Sequence, residues 1–317
     1  MINFEGDDVS YCDYDVVVIG AGFSGLAATL FLANANRRIL LVDSQQGTRN
    51  HHALKAYNVV GYGDKSPHQI IAETNQQLDR FSKVKRCYLQ VNRIMQREGY
   101  DDFLMTLSDA SSLIVKRVIF ATGVTDLLPN IEGIQPFWPH NIFHCPYCIA
   151  YELRDLPLAI YSPNDEAYMM AKIIHKWTSD LTVFTEGQAN FSAEQQHELD
   201  QLGIKTNTQK ICTVSGEPGQ FINFHLEGDK DHDVLLRRGV FIHLEFQLNN
   251  RALIDQLGLV ITAEGIVSVD SSYQTSQAGV YAVGDMGHLF QKISHALHSA
   301  NVAAFHIDHE LAMMPYY

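Results

Sequence analysis

The sequence predicts an α/β protein made of two Rossmann-like (three-layer) domains of nucleotide-binding type, the second inserted into the first. Three observations carry this. A β-branched run ending in Gly20-Ala21-Gly22-Phe23-Ser24-Gly25 opens a βαβ unit near the N-terminus. A strand running into Gly284-Asp285, followed by a helix, lies near the other end. Between them, Leu158-Ala159-Ile160-Tyr161 begins a second βαβ pattern. A chain of 317 residues has room for about two domains. The expected boundaries are 1–128 and 247–317 for the outer domain and 129–246 for the insert.

Asp15-Val16-Val17-Val18-Ile19-Gly20 has the composition of a buried parallel strand. Leu26 to Asn34 reads as a helix and Arg38 to Asp43 as the next strand. Gly20 permits the tight turn, Gly22 lets backbone N–H groups approach a pyrophosphate, and Gly25 lets helix and strand pack closely. Asp43, eighteen positions after the third glycine, is placed to accept hydrogen bonds from ribose hydroxyls. The alternative is a turn that is merely glycine-rich. Because strand, helix and acid all fall in place, the unit reads as dinucleotide-binding.

Val118 to Gly123, including Thr122, ends a further strand, and Pro129, Gly133, Pro136 and Pro139 punctuate a linker. After Leu158–Tyr161 come a helix from Glu166 to Trp177 and a strand from Leu181 to Phe184. Ala278 to Asp285 reads as strand and turn, with a helix from about Ser294 to Leu311. That last pattern is also compatible with an ordinary strand–turn–helix.

Cys145-Pro146-Tyr147-Cys148 places two thiols three positions apart, a spacing that closes a redox-active disulfide ring. The competing reading is half of a zinc site, which usually needs a second ligand pair. Cys12, Cys87 and Cys212 are scattered singly, although His140 and His144 lie close to the pair. A formal charge of −13 argues against nucleic acid or an anionic membrane as the main partner. The first residues are acidic where a signal peptide is basic, and no apolar run approaches the roughly 18 residues of a membrane span. Few cysteines and one close pair fit the cytoplasm.

With these residues placed, the chain resembles the low-molecular-weight thioredoxin reductase family of flavoproteins along nearly its full length. The marks are Gly20-x-Gly22-x-x-Gly25, Ala121-Thr122-Gly123, Cys145-x-x-Cys148 before the second βαβ unit, and Gly284-Asp285 before a helix. The resemblance implies an outer domain that binds FAD, with Asp285 on the ribityl chain. It implies flavin contacts from Arg49-Asn50 through Asn58, and from Gln291, Lys292 and Ile293 at a helix start. Cys148 would face the flavin and Cys145 would exchange with the substrate disulfide. A homodimer and a relative rotation of the two domains are implied as well.

Two departures alter the functional expectation. Members that use NADPH need a second glycine fingerprint where this chain has Tyr161-Ser162-Pro163-Asn164-Asp165-Glu166-Ala167. No glycine is present, Pro163 removes a donor, and two carboxylates stand where a pyrophosphate would sit. The following strand ends in Phe184-Thr185-Glu186-Gly187, without an arginine cluster. Family members also carry an Asp after the second Cys, where this chain has Ile149. His144, His295 and Glu152 are candidate substitutes, histidine being suited to proton transfer near neutral pH.

The expected function is therefore a flavin-coupled disulfide oxidoreductase of the pyridine-nucleotide-independent branch. Its partner is a thioredoxin-like protein or a small dithiol or disulfide. Electrons would come from a ferredoxin- or flavodoxin-type donor, or pass to oxygen if it acts as a dithiol oxidase. A flavin-binding sensor is the non-enzymatic alternative. Tyr316 and Tyr317 are candidates to stack on the flavin, against a frayed tail. No metal is expected from His295, His298, His306 and His309, since positions 295 and 306 of one helix stand roughly 16 Å apart.

Overall fold

The computed structural model describes residues 12–51, 53–228 and 235–314. The first half contains β1 (Tyr14–Ile19), α1 (Phe23–Asn34), β2 (Ile39–Val42), α2 (Pro67–Leu78), β3 (Val84–Cys87), β4 (Val91–Gln96), β5 (Phe103–Leu107), β6 (Ser112–Phe120) and β7 (Val124–Leu127). Next come β8 (Ile142–Phe143), α3 (Pro146–Ile149), β9 (Leu158–Tyr161), α4 (Glu166–Ile174), β10 (Leu181–Phe184), α5 (Ala193–Gln201) and β11 (Lys205–Asn207). The chain continues through β12 (Ile211–Gly216), β13 (Ile222–Leu226), β14 (Leu235–Arg237), β15 (Gly239–Ile242) and β16 (Glu245–Leu248). It finishes with α6 (Arg251–Gln256), β17 (Val280–Ala282) and α7 (Ile293–Met313).

Two compact units emerge. The first comprises the chain up to His51, His68–Thr125 and the chain from Gln247 onward; the second comprises His52–Pro67 and Asp126–Phe246. The architecture is thus two Rossmann-like units, the second inserted into the first. Residues 52–67 group with the second unit, whereas the sequence places them with the first. This excursion closes on itself, because the N–H of Ala56 donates to the carbonyl of Lys65 at 2.8 Å.

In the first unit, β3, β2, β1, β6 and β17 run parallel in that order. The first half of β6 pairs antiparallel with β5, and β5 with β4. β1 and β2 are apolar almost throughout because both faces of these parallel strands are buried, leaving no polar side. On one face α1 packs against α7, with Ala28, Ala300, Ala303 and Ala304 in the shared core. α1 begins three residues before the predicted Leu26, directly after Gly22.

The second unit has a parallel sheet, β11-β10-β9-β15-β8, and an antiparallel one, β12-β13-β14. Its core gathers Ile160, Ala167, Ala171, Ile174, Val183 and Phe241 around α4. β7 and β16, the strands on which the chain leaves and re-enters the first unit's sequence, pair as a two-stranded ribbon. Among the described residues, no helix is long and apolar enough to cross a membrane.

Candidate functional site

The glycine fingerprint of the first unit behaves as its stereochemistry requires. Gly20 has φ +102°, and a Cβ there would lie 2.5 Å from the carbonyl oxygen of Ala121. A Cβ on Gly25 would sit 1.8 Å from the oxygen of Gly20, so only glycine lets α1 start this close to β1. Gly22 is different. Its backbone is extended, and a Cβ would meet only the methyl of Thr48 at 3.6 Å. The space beside it is open to a ligand, and α1 has no side-chain cap and no acid in its first turn.

Asp43 closes the far side of this turn. Its carboxylate accepts from the N–H of Ala21 and from that of Gln45, both at 2.6 Å. A carboxylate offers about four lone-pair positions, so two donors leave acceptor capacity for ribose hydroxyls. Thr48, which the sequence reading missed, has a buried Oγ1 with no hydrogen-bond partner. An orphaned hydroxyl beside an open glycine turn fits a bound polar group.

Gly284, at φ +74°, donates its N–H to the buried Ser299 Oγ at 3.0 Å, and a Cβ on it would press on Ser24 Oγ at 2.7 Å. The turn presents Asp285, which forms an ion pair with Arg49 at 3.0 Å. Arg49 also donates to Gln291 Oε1 at 2.6 Å, and Gln291 Nε2 donates to the carbonyl of Asp285 at 3.3 Å. Lys292 and Ile293 stand at the N-cap and first position of α7. Thr122 and Gly123 are held by Asn249: its Nδ2 donates to the carbonyl of Thr122 at 2.8 Å and its N–H to that of Gly123 at 3.2 Å. Asn50 follows Arg49 in the same loop, whereas Asn58 is exposed and belongs to the second unit. Tyr316 and Tyr317 lie outside the described residues.

A histidine cluster flanks the start of α7. The rings of His288 and His295 stack with centroids 4.1 Å apart, and His298 and Tyr273 complete the group at 6.2 and 5.9 Å from His295. The N–H of Phe290 donates to His288 Nδ1 at 2.8 Å. Burial, then the neighbouring His288 and His298, hold the His295 imidazole below its ordinary pKa. A base depressed in the folded state is neutral there, so its stabilising contribution is complete above about pH 6.5 and is lost as the pH falls below it. Melting temperatures of the wild type and His295→Gln should therefore converge between pH 7 and pH 5. Parallel curves across that range would remove this assignment. Among the described residues, no three of His, Cys, Asp and Glu are grouped so as to hold a metal ion.

In the second unit, Cys145 is the extended N-cap of α3 and Pro146 its first residue, a position that needs no N–H donor. The one-turn helix brings Cys148 back, its N–H donating to the carbonyl of Cys145 at 3.2 Å, and the two Sγ atoms stand 2.6 Å apart. Both cysteines are half-buried, and Tyr147 between them is exposed, edge-on to Trp177. Ile149 packs against the unit's core, so it fills space and moves no proton. The His144 ring lies 5.9 Å from that of Trp138. Glu152 is exposed and acts on Tyr57, whose phenol is raised first by burial and then by that carboxylate. His295 belongs to the first unit. Cys12, in contrast to the pair, is buried against Asp102 and pushed up to about 11, first by burial and then by that charge.

The turn after β9 closes on itself. Asn164 Oδ1 accepts from Ser162 Oγ at 2.9 Å and from the N–H of Glu166, the first residue of α4, at 3.0 Å. Asp165 accepts from the N–H of Asn190 at 2.7 Å, and Glu166 pairs with His243 at 3.1 Å. Tyr161, at the end of β9, is raised to about 12 by burial and then by Glu186, which follows β10.

Comparison with known proteins agrees with this geometry. The sequence pattern of the Pyridine nucleotide-disulphide oxidoreductase family matches residues 14–303. A thioredoxin reductase of Gibberella zeae is 25% identical over 92% of this chain and 95% of its own. The thioredoxin reductase sirT of Leptosphaeria maculans is 28% identical, covering 86% of each chain. The crystal structure of the putative thioredoxin reductase TrxB from Bacillus anthracis superposes with a TM-score of 0.85 at 27% identity, covering 94% of this chain and 98% of its own. A glycine-built dinucleotide turn in one Rossmann-like unit, a cysteine pair in an inserted second unit and a match over nearly the whole chain have one common source: the protein belongs to the pyridine nucleotide-disulphide oxidoreductase family and is a thioredoxin reductase-like oxidoreductase.

Proposed function

We propose that this oxidoreductase is FAD-dependent and couples its flavin to a dithiol or disulfide partner through Cys145 and Cys148, without using NADPH. The observation that carries the last clause is the turn after β9. The N–H at the head of α4, which a pyrophosphate would need, is already taken by Asn164, and Asp165 and Glu166 add negative charge beside it. Glu186 stands where a coenzyme phosphate would require cations.

Residues of the first unit suit FAD: Gly20, Gly22, Gly25, Thr48 and Asp43 at one end, and Asp285 with Gln291, Lys292 and Ile293 at the other. Bound there, FAD supplies a carrier for two electrons. In reduction of a partner disulfide, the Cys145 thiolate attacks one sulfur, forming a mixed disulfide and releasing the other as a thiolate. Cys148 then attacks Cys145, so the mixed disulfide breaks and the second partner thiolate leaves. The enzyme's dithiol becomes a disulfide as the partner's disulfide becomes a dithiol. His144, adjacent to Cys145, is the proton donor in this scheme, replacing the acid that Ile149 cannot supply. The relatives support a thioredoxin-type partner. A cytoplasmic homodimer with a ferredoxin- or flavodoxin-type donor completes the proposal.

Anaerobic titration of the flavin-loaded protein tests it. NADPH should leave the yellow colour unchanged, while dithionite should deliver about four electrons per FAD, two to the flavin and two to the disulfide. Prompt bleaching by NADPH would overturn the coenzyme clause. Uptake of only two electrons would overturn the role of the cysteines. Oxygen consumption on adding a dithiol would reverse the direction, making the protein a dithiol oxidase.

A further inference from the structure

We propose that Arg49 is a positioning residue that fixes the carboxylate of Asp285 and the carboxamide of Gln291 and so sets the charge at the flavin end of the dinucleotide site. The proposal rests on the reading that this site takes FAD. Three segments meet at one guanidinium: the loop after β2, the turn after β17 and the residue before the α7 cap. The Arg49 side chain is only 11% exposed, and Asp285 is 21% exposed. A charge so enclosed is costly unless it is paired, and a guanidinium stays protonated at every working pH.

The contacts form a closed triangle. Arg49 Nη1 donates to Asp285 Oδ2 and to Gln291 Oε1, and Gln291 Nε2 donates back to the carbonyl of Asp285. The arginine therefore decides which way the carboxamide faces: its oxygen is committed to the cation and its nitrogen to the backbone. Replacing Arg49 with an apolar residue removes both constraints and takes a positive charge away from the Asp285 carboxylate. Arg49 also directly follows Thr48, whose methyl lies nearest to Gly22 and whose hydroxyl is the orphan described above. One dipeptide thus serves both the fingerprint turn and the Asp285 turn.

Reduction adds negative charge to a flavin, so the charge of Asp285 opposes it and that of Arg49 favours it. Arg49→Met should lower the flavin midpoint potential, Asp285→Asn should raise it, and the double variant should return towards wild type. Arg49→Met should also weaken FAD at least tenfold, measured by quenching of flavin fluorescence on reconstituting the stripped protein. Arg49→Lys should restore most of the potential, because the charge is kept, and less of the affinity.

Should Arg49→Met not fold, Arg49→Lys and Asp285→Asn still give the sign of the potential shift and the loss of affinity. Potentials that move in the same direction for Arg49→Met and Asp285→Asn overturn the proposal. So does an Arg49→Met protein with wild-type affinity and potential and only a lower melting temperature. A wild type that takes up no FAD removes the functional reading itself, and this proposal with it. Normal FAD uptake by wild type and Arg49→Met alike removes the proposal alone.

Discussion

Cys148→Ser should lose turnover with a disulfide partner by about three orders of magnitude or more, the scale seen when one member of a concerted catalytic pair is removed. The two cysteines are expected to fail differently. Cys145 occupies the extended position before α3, while Cys148 lies within its single turn. With Cys145 as the exchanging thiol, Cys148→Ser still attacks the partner but has no resolving thiol. The mixed disulfide then accumulates and is visible as a non-reducing adduct with a thioredoxin-like protein whose own resolving cysteine is replaced. Cys145→Ser should form no such adduct. Adduct formation by Cys145→Ser instead would reverse the two roles, and none with either variant would sink the exchange scheme.

The second large effect concerns stability. Arg117 lies in β6, is 1% exposed, and donates to Asp101 Oδ2 at 2.9 Å and to Glu310 Oε1 at 2.7 Å. It also donates to the carbonyls of Asp101 and Lys116, while Tyr281 in β17 donates to the other oxygen of Glu310 at 3.0 Å. This network joins the β4–β5 turn, β6, β17 and the last turns of α7. Removing the buried guanidinium costs its packing and hydrogen bonds, but the carboxylates it leaves are 65% and 36% exposed and so open to water, and the loss should be about 1–3 kcal/mol. Arg117→Ala should lower the urea midpoint accordingly. Glu310→Gln, at a side chain 36% exposed that still accepts from Tyr281, should cost clearly less. A shift below about 1 kcal/mol for Arg117→Ala would contradict this account.

What could be read in advance follows a physical division. Gly20, Gly25 and Gly284 were legible because each answers a local stereochemical demand, a left-handed turn or an approach too close for a Cβ. β1, β2, β9 and β10 were legible because a buried parallel strand is apolar on both faces. Asn249 and Ser299 were not singled out, and Arg49 was named only as the start of a segment near the flavin, since their roles exist only in partners 127, 15 and 236 positions away. Thr48 is signalled only by a missing hydrogen bond, which a sequence does not record. The grouping of 52–67 with the second unit was equally hidden, because no composition change marks it. At Ile149 the sequence showed that an acid was missing, and the structure adds what the isoleucine does: it packs against the core cluster that contains Leu153 and Leu158.

The pairing of β7 with β16 has an entropic consequence for the chain as a polymer. Residues between those strands form a covalent loop of more than a hundred links, whose closure costs on the order of 4 kcal/mol when its ends are joined from a free coil. The ribbon, with Asn249 tying Thr122 and Gly123, discharges that cost at a single place. Because closure entropy grows only logarithmically with length, lengthening or trimming the intervening sequence changes the outer domain's folding free energy very little. The host sheet is thereby insulated from the size of its guest, and the inserted unit is free to change in length while the outer core keeps its stability.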